Sequence, residues 1–166
     1  LPRKFKTGIA LPEDNAVDVH SQDVGLIAVT DDAGTLHGVN VLVGGGLGMT
    51  HKKPETYARL GTPLGYVDAE HVVEAVRTIA TIHRDFGDRT DRKHARLKYI
   101  IEEQGIDAFR AEFRDRVGFE LKPWVEMSRP VHQDWLGRHT QNDDKFFYRV
   151  YVPSGRIIDH DRVRLK

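Results

Sequence analysis

A chain of 166 residues is long enough to bury a core without disulfide or metal staples. With 39% hydrophobic and 30% charged residues, and 25 Lys+Arg balancing 25 Asp+Glu, it is neither a disordered tail nor a polycation built to coat nucleic acid. The absence of cysteine excludes disulfide frameworks, thiolate nucleophiles and any iron–sulfur cluster ligated by this chain itself.

The longest apolar run, from Val39 to Leu47, is broken by Asn40 and glycines and falls short of the roughly 20 residues of a membrane span, so the chain reads as soluble. It opens on Leu1-Pro2 without a signal-peptide pattern and closes on the basic Arg162-Val163-Arg164-Leu165-Lys166. A segment of a longer polypeptide is expected.

From Phe5 to Leu47 the hydrophobic period is two, which predicts strands over 6–11, 25–30 and 36–43. Asp31-Asp32-Ala33-Gly34 tolerates positive φ and makes the second and third an antiparallel hairpin. Asp68 is a helix N-cap, after which Val72, Val73, Val76, Ile79, Ala80, His83 and Phe86 recur at helical spacing up to Gly87. Thr90 or Asp91 caps a second helix ending at Gly105. A third runs from Asp107 to Gly118 on Phe109, Phe113 and Val117. Residues 122–144 mix prolines and tryptophans without a period and read as a long connection. Phe146 to Val152 then alternates, Pro153-Ser154-Gly155 turns, and Arg156 to Asp159 returns as a hairpin, which needs a partner sheet.

Three constellations can carry chemistry. In Arg3-Lys4-Phe5-Lys6, strand alternation puts Lys4 and Lys6 on one face. Two ammonium groups side by side suit a small oxyanion or a ligand carboxylate, while a solvated strand edge is the plainer reading. Val43-Gly44-Gly45-Gly46-Leu47-Gly48 follows a strand, where glycines let backbone approach a ligand or simply form a wide turn. It matches neither the dinucleotide fingerprint nor the P-loop. In Asp88-Arg89-Thr90-Asp91-Arg92-Lys93, cations near a helix N-terminus call for anionic partners: either Asp85, Asp88 and Asp91 or a bound carboxylate or phosphate. The nine histidines show no metal-ligand spacing, and His83 falls on an apolar face.

Taken in order, Leu1-Pro2-Arg3-Lys4-Phe5-Lys6, Asp18-Val19-His20, Asn40-Val41-Leu42-Val43-Gly44-Gly45-Gly46, Glu55-Thr56-Tyr57-Ala58-Arg59 and the stretch from Arg84 to Lys93 resemble the sirohaem-dependent sulfite and nitrite reductases. The likeness is to the central part of the hemoprotein beta component, strong to about Pro130 and looser over the hairpin from Phe146 to Asp159.

The resemblance implies an α+β fold, a mixed and largely antiparallel sheet with helices on one side, plus a C-terminal β-hairpin. It divides the chain into a sirohaem wall over 1–121, a connection over 122–144, and a hairpin over 145–166 belonging to a second, ferredoxin-like half domain completed by absent residues. The implied activity is cytoplasmic six-electron reduction of sulfite to sulfide in sulfur assimilation, on sirohaem coupled to a [4Fe–4S] cluster, with a flavoprotein or ferredoxin as electron donor.

Lys4 and Lys6 match the lysines that bind substrate and supply protons. Arg3, Gly44, Gly45, Gly46, Leu47, Arg92 and Lys93 match positions around the sirohaem and its carboxylates. Phe5-Lys6 favours sulfite over nitrite, because nitrite reductases of this kind tend to carry an aromatic and an asparagine after the first lysine. The cluster cysteines and substrate-pocket arginines lie outside this chain, so the segment alone is expected to be inactive, and its exposed apolar surface makes self-association plausible. The rival from another class is an anion- or nucleic-acid-binding module using Arg3, Lys4, Lys6, Arg92 and Lys93. A pI near 7.3 and 8% aromatic residues speak against it.

Overall fold

The computed structural model describes residues 1–127 and 136–153. The chain forms two compact units, Leu1–His132 and Gln133–Lys166.

The first unit is built on a four-stranded sheet of β1 (Thr7–Ala10), β2 (Val24–Thr30), β3 (Leu36–Val43) and β4 (Thr62–Asp68), in sequence order. β1 pairs parallel with β2, and the other neighbours pair antiparallel, so the sheet is mixed and largely antiparallel as expected. The hairpin between β2 and β3 turns at Gly34, whose φ is 81°, while Asp31 accepts hydrogen bonds from the amides of Ala33 and Thr35.

Three helices follow: α1 (Val72–Phe86), α2 (Leu97–Gln104) and α3 (Ile106–Arg116). They cover one face of the sheet, where Val24, Leu26, Val39, Val41 and Val43 pack with Ile79, Ile82, Leu97, Ile101, Phe109 and Phe113. Strand alternation sends Ile27 and Leu42 to the opposite face, which Val19, Trp124 and Met127 cover. Both faces are thus buried, which is why β3 reads as one nearly unbroken apolar run.

Several sequence expectations need correction. β4 was missed because Pro63 and Gly65 interrupt its pattern and a bulge opposite Val41 and Leu42 breaks its period. A 3-10 turn, Ala69–His71, follows Asp68, so α1 begins at Val72. Its buried side is Ala75, Thr78, Ile79, Ile82 and His83, whereas Val73 is 70% exposed. Phe86 overhangs the end of the helix, where the Arg116 guanidinium lies 5.5 Å over its ring.

The second helix begins at Leu97, well after Thr90, because the Asp88 and Asp91 carboxylates take the local amides of Thr90, Asp91 and Lys93 into turns. The third is capped at Gly105, and Asp107 pairs instead with Arg110 at 2.8 Å.

In the second unit, β5 (Gly137–Thr140) pairs antiparallel with β6 (Phe146–Arg149). Part of the segment read as connection is therefore a strand, and the Phe146 strand pairs with the residues before it. Basic and polar residues, Arg138, His139 and Thr140, hid β5 from a hydrophobicity pattern. The return strand read over Arg156 to Asp159 lies outside the described residues.

Candidate functional site

The segment leading into β1 alternates in exposure. Lys4 and Lys6 are exposed, while Phe5 packs on the helix-side core and stacks on His83 with ring centroids 5.9 Å apart. Lys6 is held at both backbone groups: its N–H donates to Asp23 Oδ2 at 3.0 Å, and its carbonyl accepts the Val24 N–H at 3.0 Å.

The glycine segment leaves β3 at Gly44, whose φ is 76°. Gly44 N–H donates to the Asp23 carbonyl, Gly45 N–H to Gln22, and Gly46 exchanges two backbone bonds with Arg59. A Cβ on Gly45 would lie 2.4 Å from the carbonyl oxygens of His20 and Gln22. Glycine is needed there because one backbone layer rests directly on another.

Two cations from the α2 end lock this loop. The Arg96 guanidinium spans the fully buried Asp23 carboxylate, with Nη2 2.9 Å from Oδ2 and Nε 3.1 Å from Oδ1, and also donates to the Gly45 carbonyl. Lys98, 1% exposed, donates to the carbonyls of Gly46, Gly48 and Tyr57, between the rings of Tyr57 and Tyr99 at 5.4 and 5.0 Å. Burial pulls the Lys98 pKa below the usual lysine value.

These residues surround a cavity of about 170 Å³ lined by Arg3, Lys4, Arg92, Lys93, Arg96 and Lys98, with Gly48, Met49, Thr50, Thr56 and Tyr99 completing its wall. Among the described residues no carboxylate lines it. An adjoining depression is formed by Pro2, Arg3, Lys4, Asp88, Arg89 and Arg92.

The acids that the sequence offered as local partners are engaged elsewhere. Asp85 is bound by Arg84 and Arg116, which hold its pKa down at about 2, while Asp88 and Asp91 bind backbone amides. Arg3, Lys4, Arg92 and Lys93 consequently form no ion pair among the described residues. The Lys53 ammonium beside Lys93 lowers the Lys93 pKa, a sign of like charges crowded together.

The structure thus brings Arg3, Lys4, Arg92 and Lys93 to one cavity. Lys6 does not line it, Gly44, Gly45 and Gly46 lie buried beneath it, and Leu47 is 54% exposed beside the loop. Sequence reasoning missed Asp23, Arg96 and Lys98. A lone aspartate before a strand and two cations on an apolar helix carry no motif, and only the fold brings them to the loop.

The model of the nitrite and sulphite reductase 4Fe-4S domain matches residues 1–121. The chain belongs to this family. Over all 166 residues it is 44% identical to the sulfite reductase [ferredoxin] of Synechococcus elongatus, of which it covers 27%. It is 43% identical over the same length to the sulfite reductase [NADPH] hemoprotein beta-component of a Paenibacillus species, covering 29% of it. This nitrite and sulphite reductase domain also superposes on the Mycobacterium tuberculosis NirA protein, with a TM-score of 0.65 and 28% identity over 88% of this chain and 26% of that one. The chain therefore spans only a little over a quarter of the relatives it matches. Among the described residues no helix is long and apolar enough to cross a membrane.

Proposed function

We propose that this chain forms one wall of the sirohaem pocket of a cytoplasmic sulfite reductase that reduces sulfite to sulfide by six electrons. The carrying observation is the cavity itself, where four cations without a carboxylate partner among the described residues meet. A pocket of that kind fits the carboxylates of a sirohaem and an oxyanion beside it. When bound, the sirohaem supplies the iron centre at which the oxyanion is reduced, with the electrons delivered by the donor protein.

Arg3, Arg92 and Lys93 hold the cofactor's carboxylates, and the loop from Gly44 to Leu47 backs the ring. Lys4 and Lys6 bind sulfite through their ammonium groups and hand protons to its departing oxygens, which leave as water. A second ammonium suits a dianion better than the monoanion nitrite. The residues present do not fit the [4Fe–4S] cluster, because the chain has no thiolate to offer it. Turnover therefore needs the rest of the polypeptide and a flavoprotein or ferredoxin donor, and the segment alone is inactive.

The test is made on the full-length protein. Its visible spectrum should show sirohaem and shift on titration with sulfite, and the Lys4→Ala/Lys6→Ala double variant should weaken that binding by about tenfold or more, roughly 1.4 kcal/mol. A protein that binds nitrite and not sulfite would move the assignment to nitrite reduction, and one without sirohaem would remove it.

A further inference from the structure

Asp23 is wholly buried and pairs with Arg96 in the wall of this cavity. Its Oδ2 accepts the Lys6 N–H and Arg96 Nη2, its Oδ1 accepts Arg96 Nε, and its backbone carbonyl accepts the Gly44 N–H. Arg96 in turn donates to the Gly45 carbonyl, and its guanidinium fills the space where a Gly46 Cβ would sit, 2.6 Å from Nη1. Through its side chain and its backbone carbonyl, this one residue therefore ties together the N-terminal lysine segment, the glycine loop and the entry to α2. Among the described residues the segment before β1 has its first hydrogen bond at Lys6. Ahead of that point, Lys4 is held between this anchor with Phe5 packed against His83 on one side and Pro2 seated against Gly87 on the other.

We propose that Asp23 is the positioning residue that holds the Lys4–Lys6 segment, with Lys4 in the cavity wall, in register with the glycine loop and so sets the affinity for the oxyanion. The proposal rests on the sulfite-reductase reading of the cavity. Charge and position make opposite demands on the outcome. Removing the Asp23 charge leaves Arg96 uncompensated and would by electrostatics alone tighten the binding of an anion. Losing the anchor lets the lysines drift and weakens it.

The experiment uses the full-length holoenzyme in three forms, wild type, Asp23→Asn and Arg96→Lys. Hydrogen exchange of the Lys6 amide is read without substrate, alongside spectral titration with sulfite and separate kcat and KM values. Expected for Asp23→Asn is faster exchange at Lys6 and a rise of about tenfold in the sulfite dissociation constant and KM, with kcat falling as well because the same lysines hand over the protons. Arg96→Lys keeps the charge but loses the two-pronged contact, and should raise both constants about threefold. It decides the matter by itself if Asp23→Asn does not fold.

Unchanged or tighter sulfite binding overturns the proposal, even where thermal stability has dropped, and so does a Lys6 amide that stays protected. A wild-type protein whose spectrum ignores sulfite would overturn the underlying reading as well. That result is distinguishable because it appears before any variant is made.

Discussion

The Lys98 ammonium reaches from α2 to the Gly46 carbonyl, 3.3 Å away, and no carboxylate shares that contact. Its other acceptors, the Gly48 and Tyr57 carbonyls, lie on either side of the loop over residues 49–56, so one buried charge closes that loop onto the glycine segment. Lys98→Met keeps the aliphatic bulk but leaves the Gly48 and Tyr57 carbonyls without their donor, while Gly46 keeps the Arg59 N–H. The expected loss is on the order of 3 kcal/mol, since each unsatisfied buried polar group costs about 1–3 kcal/mol. Urea unfolding of the full-length protein, read by a probe in this domain, checks it. A change below about 0.5 kcal/mol would show that water replaces the ammonium without cost.

The glycine segment makes a graded prediction. Gly45→Ala drives a methyl group into the His20 and Gln22 carbonyls at 2.4 Å, whereas Gly48→Ala meets nothing within 4 Å. Gly46→Ala first meets the end of the Arg96 side chain, and that end is held by Asp23. Melting temperatures should fall in the order Gly48→Ala least, Gly46→Ala next and Gly45→Ala most, the last losing about 1–3 kcal/mol from overpacking. Equal effects at Gly45 and Gly48 would mean that the segment is an adaptable turn rather than a fixed layer.

The hairpin of β2 and β3, the first and third helices, and the cationic residues Arg3, Lys4, Arg92 and Lys93 were legible because each carries a local signal: period, turn chemistry or charge. β4 was not, since its identity comes from pairing with β3 and from the backbone bridge between Tyr66 and Lys122. The start of α2 was misplaced because helix propensity and the capture of amides by aspartate compete over the same residues, and tertiary anchoring of Arg96 favours the second. Asp23 could not be read at all. Its role lies in contacts with Lys6 and Arg96, separated from it by 17 and 73 positions.

Asn40 interrupts the apolar run of β3 for a reason visible only in three dimensions. Its side chain lies on the sheet face away from the helices and makes a pair of bonds with Val125, Nδ2 to the carbonyl at 2.8 Å and Oδ1 from the N–H at 3.0 Å. That pair fixes the strip carrying Trp124 and Met127 over the second core. Asn40→Leu suits the strand by hydrophobicity yet strands two backbone groups, so the expected cost is about 2 kcal/mol. Trp124 fluorescence should shift to the red as the strip lifts. A variant as stable as wild type would show that the strip is held by apolar packing alone.

His83 gives the domain a pH response. The ring is buried, one nitrogen bonds the Ala95 carbonyl at 2.8 Å, Nδ1 has no partner among the described residues, and burial holds the pKa below its ordinary value of 6.5. Below that ordinary value the unfolded chain takes up a proton that the folded chain refuses. The stability that His83 contributes as a neutral ring is therefore complete above about pH 6.5 and declines as pH falls towards the depressed folded value. Its slope can reach about 1.4 kcal/mol per pH unit. Unfolding free energies at pH 7.5, 6.5 and 5.5, about one unit apart to bracket the ordinary histidine pKa, should show this decline in the wild type. His83→Gln cannot take up a proton and should lose that part of the slope while keeping a donor for Ala95. An identical decline in the variant would place the acid sensitivity elsewhere.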